Sequence, residues 1–179
     1  MATFSNRFGS RQELAYIFAV CIIPVHVWLI INVLREVPAW ILRLTTWDLV
    51  GVLAYSLVFA LVESTLVFLG VLLLGIIIPV RFIRGKAIAL STVLLFLTST
   101  WFGFLHYNNQ IIERRQVIPF VLWGISYVLV LLIAYFLIQR KQKLEALLND
   151  FVKRLAVLSF IYFLMDIVSI VIIGIRNLL

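Results

Sequence analysis

The sequence predicts an all-α integral membrane protein, a bundle of five transmembrane helices, and three observations carry that prediction. Apolar runs long enough to cross a bilayer recur five times, at about residues 14–34, 49–79, 87–107, 117–138 and 155–175. The mean hydropathy of +1.15 is far above that of a soluble chain. Charged residues make up 13% of the chain and nearly all fall between the runs. The connectors leave no room for a soluble domain, so residues 1–179 read as a single membrane domain.

Ser10-Arg-Gln-Glu13 has the spacing of a capping box and sets the first helix start. The run behind it is too long for the apolar part of a cleaved signal, and Arg35-Glu-Val-Pro-Ala-Trp40 offers no small-residue cleavage site. It is therefore expected to stay as a signal anchor. Pro24 leaves the carbonyl of Val20 without its helical donor, which predicts a kink and a free acceptor near His26. Residues 36–46, with Pro38 and Trp40, predict a short helix lying in the interface.

Thr45-Thr-Trp-Asp48 is a second helix start. The run behind it, at about 1.5 Å per residue, exceeds what the hydrocarbon requires, predicting tilt or a bend near Gly70 or Gly75. The third run is rich in hydroxyls (Ser91, Thr92, Thr98, Ser99, Thr100) and ends in Trp101, His106 and Tyr107. The fourth has Pro119 in its first turn, where a missing donor costs nothing. Residues 140–153 place Leu144, Leu148 and Phe151 at helical spacing among basic residues. They predict an amphipathic surface helix, separate or continuous with a span, that meets anionic lipid headgroups.

The fifteen Lys and Arg divide ten to five between the two sides of the bilayer. Arg7, Arg11, Arg81, Arg84, Lys86 and the fourth connector form the richer side, and Arg114 and Arg115 belong to the poorer. This places the N-terminus in the cytoplasm and the C-terminus outside, in a plasma (inner) membrane. All five Trp then fall in the outer half, with Trp40, Trp47 and Trp101 as interface anchors. The formal charge of +7 is thereby assigned to topology, and nucleic acid is not an expected partner.

Three titratable residues converge in depth inside the apolar runs. Glu63 and Asp166 each lie about one residue from the middle of their run, and His26 about two, so all three fall within roughly 5 Å of the midplane. An intramembrane carboxyl must be protonated, paired or next to water, and such a group is functional by default. Two acids and an imidazole at one depth suit a proton relay, a cation site or a hydrogen-bonded lock. Ser159, Tyr162, Asp166 and Ser169 form a polar stripe on the fifth run. Ser56, Ala60 and Ser64 give the second run a small face beside Glu63, and Thr92, Ser99, Gly103 and His106 trace one on the third. The plainer reading of each acid is a carboxyl that pins packing, and of His26 an imidazole bonded to the carbonyl freed by Pro24.

His26 and His106 differ by roughly 10 Å in depth, which argues against a bis-histidine haem. Cys21 has no partner for a disulfide and is expected to pack. No metalloprotease, phosphate-loop or nucleophile-elbow motif is present, so the expectation is a non-enzyme without metal or cofactor. Two functions remain: a midplane acidic site that moves or senses protons, cations or a small polar solute, and an accessory subunit of a larger membrane complex. A homo-oligomer or partner membrane subunits are expected in both. A lipid-modifying enzyme is the weakest reading, because no reactive constellation is visible.

Overall fold

A computed structural model describes residues 10–83, 85–113 and 117–178. Arg7, Arg84, Arg114 and Arg115, which enter the charge asymmetry, lie outside the described residues. Five helices are long and apolar enough to cross a membrane. They are α1 (Arg11–Ile41), α2 (Thr46–Ile77), α3 (Ala87–Tyr107), α4 (Val117–Arg140) and α5 (Gln142–Leu178). Single helical turns, Val80–Ile83 and Gln110–Glu113, sit in the second and third connectors.

Local chemistry sets the helix starts. Ser10 Oγ accepts from the Glu13 amide at 3.3 Å, and Thr45 Oγ1 accepts from the Asp48 amide at 3.2 Å while donating to Asp48 Oδ2 at 2.7 Å. Gly85 turns the chain into α3 at φ 74°, a left-handed conformation that glycine adopts without strain.

Two interfacial helices expected from the sequence are not separate elements. Residues 36–41 continue α1, and the turn follows at 42–45. Pro38 removes a single donor, while no glycine or cap residue interrupts 35–41, so the first stop signal is Thr45. The amphipathic residues 142–153 are the first turns of α5, because no Gly or Pro falls between 142 and 173. At 37 residues, α5 is about 55 Å long and must project beyond the bilayer at one end. Only Lys141 separates α4 from α5, close to the end of the fourth span at 138 that the sequence predicts.

α1, α2 and α5 pack on one another, α3 lies against α1 and α5, and α4 packs chiefly on α3. Lipid is as apolar as the core, so close backbone approach and dispersion must hold the helices together. α2 accordingly buries its small residues Gly51, Ala54, Ala60, Ser64 and Gly75. An apolar cluster of Ile17, Val20, Cys21, Val71, Ile83, Ala87, Leu95 and Val152 fills one half of the bundle. Among the described residues of α4 only Ile138 is buried, so this helix is almost wholly peripheral.

Polar bonds staple both ends. Lys86 Nζ donates to the carbonyls of Ile138 (2.8 Å) and Gln139 (3.2 Å) at the end of α4 and lies 3.4 Å from Glu145 Oε2 on α5. It thus caps carbonyls that a helix end leaves without donors. At the opposite end Arg176 donates to Asp48 Oδ1 (2.7 Å) and to the Trp47 carbonyl (2.8 Å). Its guanidinium lies across Gly51, where a Cβ would overlap it. Trp47 itself stands outward, and Trp40 is half-buried. The Trp101 indole N–H donates to Ser126 Oγ at 3.2 Å and its carbonyl accepts from Trp123, tying α3 to α4.

Lys86→Met is expected to cost about 2 kcal/mol of stability in detergent, read by chemical denaturation, and to speed tryptic cleavage at Arg140 and Lys141. Gly51→Ala is expected to lower the thermal midpoint when Arg176 is present and to leave it unchanged or raised in an Arg176→Met background. Equal effects in both backgrounds would contradict the guanidinium cradle.

Candidate functional site

His26 stands at the centre of α1 and Asp166 on the long α5, and both are fully buried. His26 Nε2 lies 3.1 Å from Asp166 Oδ1, and His26 Nδ1 lies 3.0 Å from the Ile22 carbonyl. The carbonyl can only accept, so Nδ1 carries a proton. Nε2 and Oδ1 then need one more proton between them, or two lone pairs would face each other. The pair is therefore either imidazolium with carboxylate or imidazole with carboxylic acid, and its net charge is zero in both. Neutrality is what permits burial at this depth.

The neighbouring side chains hold the geometry. Tyr162, one turn before Asp166, stacks on the imidazole with ring centroids 5.1 Å apart at 20°. Ser159 Oγ shares its one hydroxyl proton between the Ala19 carbonyl of α1 at 2.7 Å and the Leu155 carbonyl of its own helix at 3.0 Å. The two hydrogen-bonded contacts between α1 and α5, Ala19 with Ser159 and His26 with Asp166, are seven residues apart on both helices. α1 and α5 thus run parallel in a single register, with the repeat of a left-handed coiled coil. Asp166 Oδ2 is buried with no hydrogen-bond partner among the described residues. The cleft between α2 and α5 is lined by Met165 and Ser169 but does not reach Asp166.

His26 does not take the carbonyl freed by Pro24. It bonds instead to Ile22, four residues back, because a helical side chain leans toward the N-terminus of its helix. α1 remains helical through Pro24. Of the fifth-helix stripe, Ser159, Asp166 and Ser169 are buried and Tyr162 half-buried.

Glu63 does not join the pair. It is exposed, and it has no hydrogen bond or ion pair among the described residues. A step of one residue rotates a helical side chain by about 100°, and it is Ser64, fully buried, that takes the inward direction. Glu63 instead lines a groove between α1, α2 and α3. The hydroxyls line no inner path either. Ser56, Ser64, Thr92 and Ser169 all donate to carbonyls four residues back in their own helices, at 2.7–2.8 Å.

Sequence reading missed the Ala19 carbonyl as a partner of Ser159, and also Lys86, Arg176 and Gly51. For Arg176 a signal was present: Asp48 begins α2 on the side where α5 ends.

His26→Leu and Asp166→Leu are each expected to lower stability by about 3 kcal/mol, because each leaves a buried polar group alone. The double variant should lose clearly less than the sum of the two in reversible unfolding from detergent micelles. Strict additivity would exclude the pairing. Comparison of the chain with protein-family models, curated proteins and solved structures finds no match, so the reading of the site rests on its geometry alone.

Proposed function

We propose that this protein is a proton-handling membrane bundle in which the His26–Asp166 pair binds and shares the proton. The observation that carries the reading is the fully buried contact at 3.1 Å with Nδ1 committed to Ile22. This contact is one proton short of a bond unless the pair holds that proton itself. Asp166 Oδ2, buried and unpartnered among the described residues, is the acceptor through which a proton would come or go. In this reading the N-terminus is cytoplasmic, the C-terminus is outside and the membrane is the plasma (inner) membrane, as the Lys and Arg asymmetry favours.

A second reading is an accessory subunit whose buried pair only locks α1 to α5, with homo-oligomeric or partner membrane subunits covering the exterior. It is supported by the isolation of Asp166 from the α2–α5 cleft and by the exposed faces of α4.

Asp166→Asn separates the two. The amide can still donate to Nε2 and keep the lock, but it cannot exchange a proton. In protein reconstituted with a pH-sensitive dye inside the vesicles, Asp166→Asn is expected to lower proton movement on the order of 100-fold while unfolding stays near wild type. Proton movement unchanged in this variant, with any co-purifying membrane partner retained, would favour the accessory subunit.

A further inference from the structure

Glu63 poses a separate question, since a carboxyl in the middle of an apolar run is exposed and has no bond or counter-charge among the described residues. It stands on one wall of a cleft of about 410 Å³ between α1, α2 and α3. Trp28 of α1, with Ser99, Phe102 and His106 of α3, lines the same cleft. Trp28 and His106 meet edge to face at 4.8 Å, and Phe102 meets Trp123 in the same manner at 5.7 Å. The Trp28 indole N–H, the Ser99 hydroxyl and the His106 ring nitrogens have no hydrogen-bond partner among the described residues, nor does Glu63. The surface beside the mouth is apolar, with Val62 and Leu66 exposed on α2, so the cleft opens toward lipid.

We propose that this groove binds a lipid-soluble organic cation, an ammonium or phosphonium with apolar substituents. Each wall supplies one part of the recognition. The Glu63 carboxylate provides the counter-charge, and the Trp28 and Phe102 rings provide negative faces and apolar area. The unpartnered Ser99 and His106 provide polar contacts at the rim. The volume of about 410 Å³ is that of a small-molecule site. A bare metal ion is disfavoured because no group of three or more metal-ligating side chains exists among the described residues. The site shares no residue with the His26–Asp166 pair and stands independently of the role given to that pair.

The test is isothermal titration of purified protein in detergent with tetraphenylphosphonium and with neutral triphenylphosphine, which lacks the charge. Wild type is expected to bind the phosphonium saturably at one site and the phosphine at least about 30-fold more weakly. Glu63→Gln should lower phosphonium affinity by at least about 30-fold and leave phosphine binding unchanged. Trp28→Leu should lower phosphonium affinity about fivefold. Absence of saturable binding by wild type, equal affinity for the two probes, or wild-type affinity in Glu63→Gln would each overturn the proposal. Should Glu63→Gln fail to elute as folded protein, the contrast between the two probes on wild type decides the matter.

Discussion

The contact between His26 and Asp166 fixes the rest of the bundle, because in a membrane it is polar groups that cannot be left alone. Apolar helices in lipid have little reason to prefer one register, since hydrocarbon solvates leucine as well as a neighbouring helix does. An imidazole and a carboxyl in that setting remove the choice. Sliding α5 by one turn would strand both, and would also take Ser159 from the Ala19 carbonyl. With α1 and α5 set in parallel, α2 lays its small residues against both, α3 takes the other flank of α1, and α4 follows α3. The end staples at Lys86 and Arg176 then close the two ends of an arrangement whose register is already set at the middle.

Two acids at similar positions along their helices meet different fates. Asp166 is fully buried and bonded to His26, so the proton that lies between the two is part of the fold. Glu63 faces outward into a groove, so its carboxyl is open to whatever enters. Depth alone does not distinguish these roles; the direction of the side chain does.

That distinction also explains what the sequence could and could not reveal. Depth follows from counting residues along an apolar run, which is why His26 and Asp166 were legible as companions. Direction was legible on α5, where Ser159, Tyr162, Asp166 and Ser169 mark one face. On α2 it was not, since Glu63 and Ser64 are neighbours and both sides of the helix are apolar. The five spans were plain from hydropathy, whereas the change from basic, amphipathic residues to apolar ones at Leu155 left open whether the surface helix stands alone or continues into the span. Composition changed there, but nothing in the backbone chemistry called for a break. Trp101 looked like an interfacial residue because tryptophan favours that zone, and only the position of Ser126 on α4 shows where its N–H goes.

The unbroken α5 has a mechanical consequence. Lys143 near its start and Asp166 are 23 residues apart on one helix, about 35 Å at the helical rise. A continuous hydrogen-bonded helix resists stretching, so a displacement along the axis near Lys143 is carried toward Asp166.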